Sequence, residues 1–417
     1  MHLHPKMKYT YCGIDSHKAT HTAVFIDCFH ELLGEITFST SPSAYDDFLS
    51  QAQQYLLPNT EFAFGMEDIS AYGRTLAQFL LKNNHLVKHC DATLVATERE
   101  AKNVLHKTDE VDALSCAVVL LNRFNTLPNA LQQDKLFILS SLVTRRDFIA
   151  KTNMMAASQL HSFIYEHYPS YKKFFSRIDG NASIAFFEKY PSPSTLQGVT
   201  EDALAAFLTS VSRNQGLPKA QMILDSIKHD GVPVSPHQQA RDFTIRSIAR
   251  QMKTGKVELK LIDAQIDDFL THFNYNLTDI KGINTTTMAK FIVEIGDISR
   301  FKNAKALAKY AGVSPVVHSS GESSVNYANR KGNRKLNELF YRLAIIQALP
   351  RGKDYTLINP LFHDYYKKKI SEGKTRRQAI KSVQRRLVNI IFNMLKHGTH
   401  FINPDARKLN EATNQAS

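Results

Sequence analysis

The chain has 417 residues, of which 43% are hydrophobic and 22% charged, a balance typical of globular proteins and not of disordered ones. This length predicts two or three domains, and the net charge of +13 favours a polyanionic partner. The longest apolar run, residues 117–121, is far shorter than a membrane span of roughly 20 residues, and the four cysteines have neither zinc-ligand spacing nor a disulfide framework. We therefore expect a cytoplasmic protein with reduced thiols and no membrane partner.

The first part of the chain alternates between strand and helix patterns. The predicted strands are residues 9–15, 21–27, 35–40, 60–66 and 85–90, and the predicted helices are residues 43–56, 72–82 and 109–121. The first three strands form an antiparallel meander, and Ser43 is expected to cap the first helix. This order predicts a mixed α/β sheet of the RNase H type, in a domain spanning residues 8–125.

Residues 131–275 carry helical spacing almost throughout, with one clear heptad repeat. Its apolar positions are Ile245, Ile248, Met252, Leu259, Ile262, Ile266, Phe269 and Phe273, with Gly255 in one d position. About four heptads predict a coiled coil that joins protomers, or a long antiparallel helix pair. One amphipathic helix packed on its own domain is the alternative.

Residues 276–400 predict a third, mainly helical domain, and the polar residues 401–417 predict a frayed tail. The segment Ile280-Lys281-Gly282-Ile283 resembles a helix-hairpin-helix turn, which can present backbone N–H groups to a phosphate. A plain structural turn is the alternative for this segment.

Four acidic residues stand at the ends of predicted elements: Asp15 and Glu67 end strands, and Asp109 and Asp112 begin a helix. Positions three apart on a helix share one face, so all four can converge with the strand ends. Four carboxylates can hold two Mg²⁺ ions for in-line displacement at phosphorus. Taken singly, each is as well explained by a solvated acid, and Asp109 by a helix cap.

The order and context of these acids resemble a known family. Gly13-Ile14-Asp15, Met66-Glu67 and Lys107-Thr108-Asp109-x-x-Asp112-Ala113 resemble the DEDD signature of the RuvC-like transposases of the insertion-sequence one-ten family, which are related to Piv invertases and known as bridge-RNA-guided recombinases. Matching segments recur at Tyr310-Ala311-Gly312-Val313, Ser320-Gly321 and Gly332-Asn333-Arg334-Lys335. The resemblance covers roughly residues 10–125 and 275–350, in the family's order.

The resemblance implies a transposase that cuts and rejoins an insertion element and its target DNA, guided by a structured RNA from the element. It implies Asp15, Glu67, Asp109 and Asp112 as ligands of Mg²⁺, with Mn²⁺ as the alternative ion. It also implies a dimer or tetramer, and a nucleophilic serine directly before a glycine, which is Ser320, with Ser319 as runner-up.

The chain departs from the family pattern at three places. Ser16-His17-Lys18 follows Asp15. Asp68 follows Glu67, where small residues are usual, and is an alternative ligand. Asn337 replaces a common arginine, which puts one phosphate contact in doubt.

Two basic stretches flank the serine segment and predict phosphate contacts. A solvated helix face explains such a pattern equally well. The residues concerned are Arg330, Lys331, Arg334 and Lys335, and then Lys367, Lys368, Lys369, Arg376, Arg377, Arg385 and Arg386.

Two rival functions are left open. In a metal-only RuvC-like endonuclease or Holliday-junction resolvase, water attacks and the serine segment is structural. In a non-catalytic nucleic-acid-binding protein derived from a transposase, the four carboxylates have no chemical task. Metal-dependent strand cleavage would distinguish the two enzymes, transposase and metal-only nuclease, from the binding protein. A covalent protein–DNA adduct would distinguish the transposase from the metal-only nuclease.

Overall fold

The structure is a computed structural model, and it groups the chain into two compact units, Met1–Phe137 and Ile138–Ser417. The described residues are 4–69, 71–101, 108–130, 134–212, 216–231, 236–320, 323–327, 329, 331–352 and 354–401, with the backbone alone for 134, 316–320 and 323–327. Lys107, Gly321 and Arg330 of the sequence predictions, and the predicted tail beyond residue 401, lie outside them.

The first unit contains a five-stranded mixed sheet in the order β3-β2-β1-β4-β5. Strands β1 to β3 are antiparallel, whereas β4 and β5 run parallel to β1. The strands are β1 Tyr9–Ser16, β2 Thr20–Ile26, β3 Leu32–Ser39, β4 Glu61–Met66 and β5 Leu86–His89, and the helices are α1 Tyr45–Ala52, α2 Arg74–Lys82, α3 Ala92–Ala101 and α4 Asp109–Arg123. The predicted meander and mixed sheet are confirmed, and this order is compatible with an RNase H-like domain.

Helices cover both faces of the sheet, because alternate residues of a central strand point to opposite sides. Cys12 and Ile14 of β1 are buried in one cluster with Phe48 of α1 and Leu80 of α2. Tyr11, their neighbour on the other face, is buried with residues of α3 and α4. The odd-numbered side of β1 therefore faces α4, and Asp15 belongs to that side.

Gly13 allows α4 to lie directly against β1. A β-carbon at this position would collide with the backbone of Ala113 and Ala117. Only glycine fits so close an approach of helix and strand. The first turn of α4, which carries Asp109 and Asp112, directly precedes Ala113 in the chain. The contact of Ala113 with Gly13 therefore holds this turn near the end of β1.

Two local predictions differ from the structure. The cap of α1 is Ala44, which makes no side-chain cap bond, because a short 3₁₀ turn over Pro42–Ala44 precedes the helix and takes Ser43 into it. Helix α3 was not predicted, because Val95 is its only residue that is buried and it shows little apolar periodicity.

The second unit is mainly helical, as the sequence predicts. Its helices are α5 Asp134–His167, which begins in the last residues of the first unit, α6 Asn181–Lys189, α7 Glu201–Val211, α8 Leu217–Asp230, α9 Gln238–Leu270, α10 Thr285–Ile295, α11 Ala304–Tyr310, α12 Arg334–Ala348, α13 Pro360–Ser371 and α14 Arg376–His397. A two-stranded antiparallel hairpin, β6 Val316–Ser320 and β7 Ser323–Tyr327, interrupts them. None of the helices in the described part of the chain has both the length and the hydropathy of a membrane span.

The heptad segment lies in α9 and pairs with α5 in antiparallel orientation. Arg146 of α5 donates to Asp263 of α9 at 2.5 Å, and Arg241 at the other end of α9 pairs with Glu166. Between these ends, Gly255 lies against the side chain of Asn153. Ile245, Ile248 and Met252 are buried in one cluster with Ala156, Leu160 and Ile164 of α5. Of the two predicted arrangements, the structure therefore has the long antiparallel pair, formed within the chain.

The Gly13 contact generates a stability prediction. Gly13→Ala forces β1 and α4 apart, and overpacking of this kind costs about 1–3 kcal/mol. We expect a lower denaturant midpoint for the first unit, measured by urea unfolding. Gly216→Ala is the control, because an added β-carbon there meets its nearest neighbour, the Pro218 ring, only at 4.0 Å. Equal midpoints for Gly13→Ala and the wild type would contradict the close contact.

Candidate active site

The four predicted carboxylates come from two strands that end, and one helix that begins, at the same edge of the sheet. Ile14 of β1 pairs with Met66 of β4, so Asp15 and Glu67 are the next residues on two neighbouring strands. Asp109 and Asp112 occupy the first turn of α4, which begins at the cap residue Thr108, so Asp109 is not the helix cap. The parallel pairing of β1 and β4 and the contact of α4 with β1 therefore bring the four positions to one end of the first unit.

Asp15, Asp109 and His17 form the tightest group at this edge. The Nε2 atom of His17 lies 2.9 Å from Oδ2 of Asp15 and 3.0 Å from Oδ1 of Asp109. One ligand atom from each of the three residues lies within 4.8 Å of the others. Divalent metal ions bind carboxylate oxygens and imidazole nitrogens as ligands, so this group is chemically suited to hold a divalent metal ion.

The surroundings of Asp15 shift the pKa of its carboxyl group. Burial raises the pKa of Asp15 above its ordinary value, and the negative charges of Asp112 and Asp109 raise it further, whereas His17 lowers it. The influence of Asp112 and Asp109 shows that three of the four carboxylates lie within electrostatic range of one another. Such mutual repulsion favours the binding of a cation among them.

Asp112 and Glu67 share a basic neighbour, Arg99 of α3. The guanidinium of Arg99 donates to the carboxylate of Asp112, whose side chain is only 9% exposed. The hydrogen bond and charge of Asp112 raise the pKa of Arg99, and Glu67 contributes in the same direction. The backbone of Glu67 is held from β5, because its carbonyl oxygen accepts from Nε2 of His89 at 3.1 Å.

The alternative ligand Asp68 is engaged with the chain that follows it. Its Oδ1 accepts from the backbone N–H of Ala71 at 2.7 Å, and its Oδ2 accepts from that of Tyr72 at 2.8 Å. Both oxygens thus stabilise the turn before α2. This arrangement favours Glu67 over Asp68 as the ligand contributed by the end of β4.

His17 and Arg99 contact the predicted carboxylates, but the sequence did not lead us to expect either residue at the site. His17 stands two positions after Asp15, and this spacing keeps both residues on the same side of an extended chain. That spacing was a usable signal for His17. Arg99 had no comparable signal, because its proximity to Asp112 depends on how α3 packs against α4.

The predicted nucleophile belongs to the second unit. Ser320 ends β6 and pairs with Ser323 across the hairpin, while its neighbour Ser319 pairs with Ser324. The backbone of the serine segment is therefore an antiparallel hairpin as far as it is described. The role of Ser320 stays a prediction.

Most of the predicted basic residues that the structure describes are exposed, and some of them have partners within the chain. Arg334 and Arg377 line one cavity of about 570 Å³, together with Lys381, which the sequence analysis did not single out. Those engaged within the chain include Lys369, which pairs with Glu372 at 2.6 Å, and Arg385, which donates to the carbonyl of Ala304 at 3.2 Å. The exposed members are Lys331, Arg334, Lys335, Lys367, Lys368, Arg376, Arg377 and Arg386.

Two family models match the chain, one toward each end. The model of the DEDD transposases of IS110 matches residues 12–169, which include all four predicted carboxylates. The model described as "Transposase IS116/IS110/IS902 family" matches residues 274–367, which include the serine hairpin. Together the two models cover more than half of the chain.

Curated relatives align with most of this chain. The 43.6 kDa protein of insertion element IS110 from Streptomyces coelicolor is 26% identical over 302 residues, covering 71% of this chain and 72% of the relative. The 44.8 kDa protein of insertion element IS116 from Streptomyces clavuligerus is 26% identical over 392 residues, covering 92% and 94%. The pilin gene-inverting protein of Moraxella lacunata is 22% identical over 403 residues, covering 95% and 98%.

The Arg99 contact generates a prediction about metal affinity. Arg99→Gln removes a positive charge that competes with a metal ion for the carboxylates, so we expect Mg²⁺ to bind on the order of tenfold more tightly. Arg99→Lys keeps the charge and serves as the control. Isothermal titration of the metal-free protein measures both. Equal Mg²⁺ affinities for Arg99→Gln and the wild type would show that Arg99 and the ion do not compete.

Proposed function

Because the chain belongs to the IS110 family of insertion-sequence transposases, we propose that it cuts and rejoins the DNA of an insertion element with Asp15, Glu67, Asp109 and Asp112 as its metal ligands. The observation that carries the proposal is the convergence of Asp15 and Asp109 on one point at the end of β1. The relative from Moraxella lacunata is named for inverting a pilin gene, and inversion also requires strands to be cut and rejoined.

The ion that we propose for this site is Mg²⁺, with Mn²⁺ as the alternative. A divalent ion neutralises charge on the reacting phosphate and lowers the pKa of an attacking hydroxyl. The protein supplies the ligands and their spacing: β1 and β4 present Asp15 and Glu67, and the first turn of α4 presents Asp109 and Asp112. The guanidinium of Arg99 pairs with the Asp112 carboxylate, and its positive charge competes with the ion for that ligand.

Ser320 is the proposed nucleophile. Its hydroxyl oxygen forms a bond to phosphorus while the bond from phosphorus to the leaving sugar oxygen breaks. The serine proton passes to a base of the site, and the leaving oxygen takes up a proton. The resulting phosphoserine link conserves the energy of the phosphodiester for rejoining. The position of Ser320 in the part matched by the second transposase model supports this assignment.

A structured RNA from the element is the proposed guide, and a dimer or tetramer the proposed working assembly. The net charge of +13 and the exposed lysines and arginines of α12, α13 and α14 support binding of polyanions through phosphate contacts. Arg334 and Arg377 come from different helices and line the same cavity, so both predicted basic stretches contribute residues to one surface. RNA as the guide rests on the family resemblance.

Asp109→Asn tests the metal site. The substitution keeps the size of the side chain and removes one charged ligand. Loss of a group that only orients a metal ligand lowers activity by up to about 100-fold, so we expect the loss of a ligand itself to lower metal-dependent strand cleavage by at least that factor. Glu110→Gln is the matched control, since Glu110 is an exposed acid in the same helical turn. Cleavage of an element-end DNA in Mg²⁺ is measured for both. Normal cleavage by Asp109→Asn would exclude Asp109 as a ligand.

Ser320→Ala tests the nucleophile. We expect this variant to lose strand exchange and the covalent protein–DNA adduct, while Ser319→Ala and Ser324→Ala retain both, because only one hydroxyl can lie in line with the scissile bond. Trapping on a nicked suicide substrate, followed by peptide mapping, identifies the attached residue. An adduct on Ser319 would move the assignment by one position. Cleavage without any adduct would favour the metal-only nuclease, and no cleavage by the wild type would favour a binding protein.

A further inference from the structure

His17 directs one ring nitrogen at two of the proposed metal ligands. Its Nε2 lies 2.9 Å from Asp15 and 3.0 Å from Asp109. A ring nitrogen carries at most one proton, so it can donate one hydrogen bond well and not two. Three such donor atoms within 4.8 Å of one another could also share a single cation.

The backbone holds His17 in this position. Its N–H donates to the carbonyl of Thr20 at 2.9 Å across the turn between β1 and β2. The preceding residue, Ser16, hydrogen-bonds through its hydroxyl to the buried His21 at 3.0 Å. The side chain of His17 is 48% exposed, which leaves it accessible to an ion and to solvent.

Two of the three distances between these donor atoms agree with a six-coordinate ion. With metal–ligand bonds of about 2.1 Å, neighbouring ligands in an octahedron lie about 3.0 Å apart. The distances from the His17 nitrogen to the two carboxylate oxygens are close to this value. The group therefore needs little rearrangement to bind an ion.

A nitrogen donor also changes which ion the group prefers. Mg²⁺ favours oxygen ligands, whereas imidazole suits transition metals, whose affinity for nitrogen ligands is higher. We propose that His17 is a ligand of the ion held by Asp15 and Asp109, and that it makes this centre bind Mn²⁺ more tightly than Mg²⁺. The inference rests on the proposed metal site and adds to it a ligand and an ion preference.

The experiment is pulsed electron paramagnetic resonance of the full-length protein loaded with Mn²⁺, combined with titrations of Mn²⁺ and Mg²⁺. The variant is His17→Asn, which retains a polar side chain without the imidazole. The control is His30→Asn, an exposed histidine of the same unit whose φ of 73° asparagine tolerates. Circular dichroism verifies that both variants fold.

We expect the wild type and His30→Asn to show coupling of Mn²⁺ to one imidazole nitrogen, and His17→Asn to lose it. We also expect the Mn²⁺ affinity of His17→Asn to fall by at least about tenfold, which is the smallest loss usual for residues that support a metal site. The loss of Mg²⁺ affinity should be smaller. Mn²⁺ bound without nitrogen coupling overturns the inference, and so does a failure of the free protein to bind Mn²⁺, because the three donor atoms already lie together. Mn²⁺ bound without nitrogen coupling removes His17 from the site and leaves the proposed metal-dependent chemistry intact, whereas a failure to bind Mn²⁺ also counts against the proposed metal site. The Ser320 adduct tests the transposase chemistry separately.

Discussion

The close contact between Gly13 of β1 and the backbone of α4 is the constraint on which the candidate site depends. Helix α4 lies so near to the sheet only because position 13 has no side chain. The odd-numbered face of β1 meets this helix, and the same face carries Asp15 at its end. Close packing of Ala113 and Ala117 on β1 thus sets where the preceding turn, with Asp109 and Asp112, can lie.

Bringing several carboxylates together in a partly buried place has an electrostatic cost, and the charge of Arg99 offsets part of it. Arg99 pairs with Asp112, and His17 lies against Asp15 and Asp109. The pKa of Asp15 is raised chiefly by burial; His17 lowers it, and the negative charges of Asp112 and Asp109 raise it. An added divalent cation would relieve the electrostatic cost, which is why the same geometry that is unfavourable without an ion is suited to hold one.

The second unit shows how an apolar repeat can be satisfied within one chain. Ile245, Ile248 and Met252 of α9 are buried in one cluster with residues of α5 and its neighbouring helices, and polar pairs at both ends of the helix pair set its antiparallel register. Ile262 and Ile266, which a coiled coil between protomers would use, are 7% and 0% exposed in the single chain. The proposed oligomer must therefore form through other residues.

The sequence by itself determined the strand and helix order of the first unit, the helical character of the rest, and the family, because periodicity and local motifs report on residues that are neighbours along the chain. Asp15, Glu67 and Asp109 could be singled out because they stand at element ends. Tertiary structure decided the rest. The pairing of Arg99 with Asp112, the partner of α9 and the approach of α4 to Gly13 each join residues distant in sequence, and an apolar pattern shows that a face is buried without showing what buries it.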